Sequence, residues 1–312
     1  MNATAAALNP FDIPPSHHLV DVLDQLDRVL IGKREQVTLA LACLLGRGHL
    51  LIEDVPGVGK TTLAHALSAT LGLDWTRVQF TSDLLPADVV GVSVLDTRDN
   101  RFKFREGPVF TSILLADEIN RAPPRAQSAL LEAMEERQVT VDGTTYPLDP
   151  GFFVIATQNP ADQQGAYPLP QSQLDRFLVG IEIGYPDAAS ERALLEHGDT
   201  RRNATQLDSL LDEERLAQLR DACDAVYVSA PVLDYLQALI QATRTVGTGL
   251  SPRAGLSLVR LSRAYALIAQ RDHVLPEDVR AVFPALAGHR LTGQVQSGQA
   301  RAREILDQVA MP

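Results

Sequence analysis

Asp54-Val55-Pro56-Gly57-Val58-Gly59-Lys60-Thr61 stands directly after the apolar run Leu50-Leu51-Ile52 and before a stretch with helical apolar spacing. Strand, glycine-rich turn and helix in that order form a setting in which a loop can wrap a phosphate chain. The N–H groups of the turn and the unpaired N–H groups that open the helix point at one spot and concentrate positive potential there. The stretch therefore predicts a nucleoside triphosphate site built from Val55, Pro56, Gly57, Val58, Gly59, Lys60, Thr61 and Thr62. A helix dipole disfavours a cation at this end by roughly 0.3–1 kcal/mol, so Lys60 calls for an anion beside it. Only three of the 28 basic residues are lysines, at positions 33, 60 and 103, so a basic position filled by chance would carry arginine. A compact ammonium between the β- and γ-phosphates is what a lysine supplies and a planar fork does not. The general pattern GxxxxGK[ST] has glycine where this chain has Asp54, which leaves the GxGKT half intact. The competing reading is a glycine-rich turn with no ligand.

The chain has 312 residues, enough for two domains that each bury a core. Hydrophobic content of 45% with 21% charged residues is that of a globular protein. A net charge of −11 gives a nucleic-acid partner no support and points instead to protein partners. Cys43 and Cys223 are too few for a disulfide framework and are not spaced as a metal site, which suits the cytoplasm. Met1 to Pro15 has no basic segment followed by an apolar one, and the apolar run near Leu39 to Leu45 is far short of a membrane span. The expectation is a soluble, unexported chain with no membrane contact.

Short apolar runs alternate with helical patterns from Leu19 to about Ile183, which predicts βα units around a mostly parallel sheet. The candidate strands are Leu50 to Ile52, Thr76 to Phe80, Ile113 to Ala116, Phe152 to Ala156 and Val179 to Ile183. Two hairpins interrupt them. One pairs Val92 to Leu95 with Arg101 to Phe104; the other pairs Gln138 to Val141 with Thr144 to Tyr146 through the Asp142-Gly143 turn. After a polar stretch at residues 198–206 the strand signals stop. Leu216, Leu219, Cys223 and Val226 then share one helical face, as do Leu258, Leu261, Tyr265 and Ile268. The predicted division is an α/β core over residues 1–198 and an α-helical domain over 199–312.

Hydrolysis needs more than a phosphate loop. Ile113-Leu114-Leu115-Ala116-Asp117-Glu118 reads as a buried strand ending in two carboxylates, with Asp117 near a Mg²⁺ held by Thr61 and Glu118 placed to polarise the attacking water. An acidic pair that merely caps the next helix is the bland alternative. A second buried run ends at Asn159, which either orients the hydrolytic water or contacts the γ-phosphate, or else starts a turn with Pro160. Arg176, in Leu174-Asp175-Arg176-Phe177, either reaches a neighbouring subunit's site or pairs with Asp175 or other surface acids. In Ser251-Pro252-Arg253 a capping serine and a first-turn proline are followed by a cation at the unfavourable end of the dipole. An anion facing Arg253 would account for it, and a phosphate there would couple nucleotide state to the angle between the domains.

With these residues in place, the chain resembles the MoxR family of AAA+ ATPases from about Ile31 to Leu291. The most specific match begins Leu115-Ala-Asp-Glu-Ile-Asn-Arg-Ala-Pro-Pro-Arg125 and continues to Gly143, followed by Ala156-Thr-Gln-Asn-Pro160 and Tyr167-Pro-Leu-Pro170. The resemblance implies an AAA+ P-loop NTPase core with a C-terminal α-helical lid, binding ATP and Mg²⁺. It implies that Lys60 and Thr61 belong to Walker A, Asp117 and Glu118 to Walker B, Asn159 to sensor 1, Arg176 to the arginine finger and Arg253 to sensor 2. Arg121 and Arg125 are rivals for the contact in trans. The resemblance further implies a ring homo-oligomer, usually a hexamer, that remodels, assembles or activates protein complexes as a chaperone-like machine. A von Willebrand factor A domain protein is the implied partner. The hairpins at residues 92–104 and 138–146 resemble the helix-2 insert and pre-sensor hairpin of this group. Two alternatives stand beside this: an AAA+ nucleic-acid motor, and a nucleotide-dependent binding switch with little turnover.

Overall fold

Apolar runs too short to be helices and flanked by glycine and polar residues pair here as parallel strands. The computed structural model describes residues 18–98, 100–160, 165–197, 207–245 and 249–312. Helices α1 (His18–Val29) and α2 (Arg34–Leu45) lead into β1 (Leu50–Glu53), α3 (Lys60–Leu71), β2 (Trp75–Gln79) and the short α4 (Pro86–Val90). The hairpin β3 (Gly91–Asp96) and β4 (Arg101–Glu106) precedes β5 (Ile113–Asp117), a 3₁₀ turn at Ile119–Arg121 and α5 (Pro124–Glu136). A second hairpin, β6 (Gln138–Val141) and β7 (Thr144–Pro147), is followed by β8 (Phe153–Gln158), α6 (Gln171–Leu174), β9 (Val179–Ile181) and α7 (Ala188–His197). The remaining described elements are α8 (Glu213–Ala225), α9 (Ala230–Thr245), α10 (Pro252–Ile268), α11 (Pro276–Thr292) and α12 (Val295–Gln308).

The main sheet runs β2-β5-β8-β1-β9, and each neighbouring pair is parallel. Alternation along each strand sends one set of side chains to either side. Leu50, Ile52, Ile113, Leu115, Phe153 and Ile155 join a core shared with α1, α2 and the C-terminal helices. Leu51, Leu114, Ala116, Val154 and Ala156 join a second core with the apolar face of α5. Because the strands are parallel, the chain leaves β1, β5 and β8 along the same edge of the sheet. In open α/β sheets that edge is where ligands bind.

All five strands form, with ends shifted by one or two residues: β1 runs on to Glu53, β5 to Asp117, and β8 spans Phe153–Gln158. The second strand spans Trp75–Gln79 rather than starting at Thr76, because Trp75 pairs with Ile113, and Phe80 lies beyond its end as a fully buried residue. The last strand ends at Ile181; its pairing with β1 stops there, although Ile183 remains buried. Both hairpins form, the second closed by Asp142 and Gly143 at φ of 50° and 78°, as a tight two-residue turn requires.

The expected helical faces are buried at Leu216, Leu219, Cys223, Leu258, Leu261 and Ile268, while Tyr265 is half-buried. Helices α10 and α11 pack against α2 and β9 respectively, so the sheet's core continues into the helical part. At the turn from α11 to α12 two glycines meet. A methyl group at Gly298 would lie 1.9 Å from the carbonyl oxygen of Gly288, so only glycine lets the helices approach this closely. The division expected between residues 198 and 199, with its polar stretch, lies outside the described residues. Among the described residues no helix is long and apolar enough to cross a membrane, and Cys43 and Cys223 are buried free thiols.

Candidate active site

The loop after β1 turns on Gly57 and Gly59, whose φ values of 90° and 103° any other residue would adopt only with strain. Asp54, at the position where the wider pattern has glycine, holds the loop from outside. Its Oδ1 accepts from the backbone N–H of Val55 at 2.8 Å and its Oδ2 from that of Gly184, beyond β9, at 2.7 Å. The Lys60 ammonium donates to the carbonyl oxygens of Asp54 at 2.6 Å and Val55 at 3.2 Å. Burial pulls the Lys60 ammonium below its ordinary pKa, against an opposing pull from Asp54, Asp117 and Glu118. An arriving phosphate would reverse that shift.

A cavity of about 470 Å³ opens beside the loop and brings together Gly57, Gly59, Lys60, Thr61, Thr62, Asp117, Glu118 and Asn159. Residues from the ends of β1, β5 and β8 thus line one cavity. Thr61 and Asp117 offer oxygen donors of the kind Mg²⁺ takes. Thr157, on β8, links the carboxylates: its Oγ1 donates to Asp117 Oδ1 at 2.6 Å and accepts from the Glu118 backbone N–H at 2.9 Å. Glu118 itself has φ of 56° and ψ of 50°, a left-handed conformation costing about 1 kcal/mol or more for a residue with a side chain. That turn aims its carboxylate back over the cavity instead of along the strand. Its Oε2 accepts from Gln79 Nε2 at 2.9 Å and lies 3.3 Å from Arg121 Nη1. Arg121 therefore faces its own chain's carboxylate, and Arg125 lies exposed in the first turn of α5.

His65, Trp75, Arg77 and Gln79 complete the cavity wall, and motif reading missed all of them. Their signal was weak but present, since Trp75, Arg77 and Gln79 are alternate residues of one strand. Thr157 is absent from the expected set as well, because it directly follows the apolar run Phe152 to Ala156 and carries no motif signal of its own.

Arg176 and Arg253 lie elsewhere. Arg176 Nη2 is 3.1 Å from Glu135 Oε2 and Arg253 Nη1 is 2.6 Å from Glu135 Oε1, so one carboxylate on α5 sits between two guanidinium groups. Arg176 does not pair with Asp175, which is instead held by Arg290 Nε at 2.7 Å. Ser251 caps α10 by accepting from the Ala254 backbone N–H, as expected. The helix it caps packs on α2, α8 and α11, however, which points Arg253 at α5 and not into the cavity of its own phosphate loop. A second cavity, of about 220 Å³, gathers Arg176 and Arg253 with Arg47, Arg137 and Arg260. Burial pulls Arg137 and Arg260 down from the ordinary guanidinium value, and neighbouring arginines add to the pull.

A parallel sheet in this order, with a glycine loop after β1, paired carboxylates after β5 and a helical C-terminal part, defines the class of AAA ATPases. Comparison with known proteins agrees. The model of the ATPase family associated with various cellular activities (AAA) matches residues 49–179, and that of the AAA lid domain matches residues 240–309. Chaperone MoxR1 of Mycobacterium tuberculosis is 38% identical over 95% of this chain and 80% of its own length. YeaC of Bacillus subtilis, an uncharacterized protein, is 42% identical over 93% of each chain. A crystal structure from Cytophaga hutchinsonii, assigned as an ATPase, superposes with a TM-score of 0.84 at 36% identity over 96% of each chain. The chain belongs to the MoxR family of AAA+ ATPases.

Proposed function

We propose that this protein hydrolyses ATP with Mg²⁺ and couples the cycle to remodelling, assembly or activation of partner protein complexes, as a ring whose adjoining subunits complete each other's sites. The observation that carries the reading is the single cavity in which Lys60, Thr61, Asp117, Glu118 and Asn159 converge. The loop N–H groups cradle the phosphates while Lys60 leaves the Asp54 and Val55 carbonyls for the β- and γ-oxygens. Bound between Thr61 and Asp117, Mg²⁺ would neutralise charge on those oxygens. Glu118 orients the attacking water and draws on its proton, and Asn159 holds the water in line.

Arg176 and Arg253 are assigned to the neighbouring subunit's nucleotide rather than their own. Their shared position on Glu135, away from the phosphate loop, supports this. The ring, with six subunits as the family resemblance implies, and a von Willebrand factor A domain partner belong to the same proposal. A client contact is assigned to the β3–β4 hairpin, where Val92, Val94, Leu95 and Phe102 are exposed, Phe102 by 74%. Exposed apolar side chains grouped on one hairpin suit a protein surface. The Lys60 site and cytoplasmic setting complete the assignment.

Glu118→Gln separates hydrolysis from binding. Turnover should fall by about 100-fold or more, the scale of a lost general base, while ATP affinity by calorimetry stays within roughly threefold. Wild-type turnover in the variant would remove Glu118 from the chemistry. Affinity capture on the same ATP-locked variant identifies the client.

A further inference from the structure

One wall of the phosphate-loop cavity is left unexplained by the motifs. Trp75, Arg77 and Gln79 alternate along β2, an edge strand of the sheet, so the pleat sends all three into the cavity. Two of them hold the two carboxylates. Arg77 donates to Asp117 Oδ2 from Nη2 at 2.6 Å and from Nε at 3.2 Å, and Gln79 Nε2 donates to Glu118 Oε2 at 2.9 Å. Arg77 Nη2 also donates to Gln79 Oε1 at 3.3 Å, which joins the two into one unit. With Thr157 on Oδ1, both oxygens of Asp117 are engaged, and the cation sits on the cavity side. The Asp117 side chain is 13% exposed and that of Arg77 48% exposed, and both line the cavity, so the guanidinium and the carboxylate it holds share one space.

We propose that Arg77 is a positioning residue that holds Asp117 while the site lacks a γ-phosphate, and moves onto that phosphate when it arrives, freeing Asp117 toward the metal. The inference rests on the ATPase reading above. A guanidinium and a divalent cation drawn to one carboxylate repel each other strongly at such separations, more so beside a partly buried acid. The γ-phosphate enters the same cavity and presents paired oxygens, a geometry that a planar fork matches. ADP offers no such anion. With ADP, Arg77 stays on Asp117 and competes with Mg²⁺; with ATP the competition is relieved. Discrimination between the two nucleotides is thereby built into β2 as well as into the phosphate loop.

Trp75 supplies the readout, being the only tryptophan in the chain and lining the cavity two residues from Arg77. Mg²⁺ is titrated into protein saturated with ADP, or with the non-hydrolysable β,γ-imido analogue of ATP, while Trp75 emission is followed and calorimetry run in parallel. Wild type and Arg77→Ala are compared for each nucleotide, so the metal affinity of the free nucleotides cancels. With ADP, Arg77→Ala should lower the Mg²⁺ midpoint by about tenfold, a typical size for coupling between two ligands. With the analogue the change should stay under about threefold. Arg77→Lys, which keeps a displaceable cation, should retain most of the wild-type difference. Equal changes with both nucleotides, or an unchanged midpoint with ADP, overturn the proposal and leave nucleotide binding intact. Wild type that takes up neither nucleotide would instead overturn the ATPase reading, and this inference with it.

Discussion

Thr157 is a single hydroxyl that fixes the geometry of two carboxylates, donating to Asp117 and accepting from the backbone of Glu118. It is fully buried, so nothing from solvent can replace it. Thr157→Val keeps the volume and leaves the Glu118 N–H without its acceptor, which costs about 1–3 kcal/mol. Asp117 also loses the bond that fixes its orientation. ATPase activity should fall about tenfold or more while ATP affinity holds within roughly threefold; Thr157→Ser, which keeps the hydroxyl, should recover most of the rate. A Val variant that turns over at the wild-type rate would show that Asp117 and Glu118 are oriented without it. The contrast with Lys60 shows what a sequence can disclose. Gly57, Gly59 and Lys60 act within one loop, so their chemistry is local and legible. Thr157 acts on residues about 40 positions away, through a register in which Ala116 faces Ala156. That neighbour relation has no local signal. Arg77 is similar: its strand could be read, its partner could not.

At the level of elements, α11 is tied to the turn that carries Arg176. Arg290, nearly at the helix end and 5% exposed, donates from Nε to Asp175 Oδ1 at 2.7 Å and from Nη2 to the Phe177 carbonyl at 2.6 Å. Further bonds reach the carbonyls of Asp175 and Leu178 at 3.2 Å. A single guanidinium thus reaches three carbonyls of the turn between α6 and β9. Arg290→Met fills the space but takes the cation from Asp175 and the donor from the Asp175 and Leu178 carbonyls, while the Phe177 carbonyl keeps His289 Nε2 at 3.0 Å. Removing one partner of a buried pair costs roughly 3–5 kcal/mol, and Asp175 is partly wet, so the lower end applies. Scanning calorimetry should show a melting temperature lower by about 5–10 °C; a shift under about 2 °C would mean that water compensates the turn. The apolar runs predict the five strands, to within two residues at their ends, and the helical C-terminal part, because burial and periodicity are written in the order of the apolar residues. They did not foretell how α10 and α11 dock, since ties such as Arg290 to Asp175 join residues that look like ordinary surface charges. Arg253 is similar: the anion it calls for is Glu135, a partner 118 positions away that no local signal names.

Taken as a whole molecule, a chain of net charge −11 has gathered Arg47, Arg137, Arg176, Arg253 and Arg260 around one cavity. Glu135 is shared between two of them. Like charges held together oppose folding, so stability alone would disperse them. An anion supplied from outside the chain would reverse the sign of that cost, as it would if, in the proposed ring, this face met a neighbour's phosphate loop. Mixing inactive subunits tests the arrangement directly. Lys60→Ala subunits bind no nucleotide but keep their arginines; Arg176→Ala subunits bind nucleotide but lack the arginine. Each alone should hydrolyse at a small fraction of the wild-type rate. In an equal, random mixture roughly a quarter of the sites pair an intact loop with an intact arginine from next door, so activity should rise toward that fraction and peak near equal ratio. Arg253→Ala should complement Lys60→Ala in the same way, because it shares Glu135 with Arg176. Absence of recovery at every ratio, in subunits shown by light scattering to co-assemble, would place these arginines in service of their own chain. Recovery with Arg176→Ala but not with Arg253→Ala would assign the contact in trans to Arg176 alone and leave Arg253 as a structural partner of Glu135.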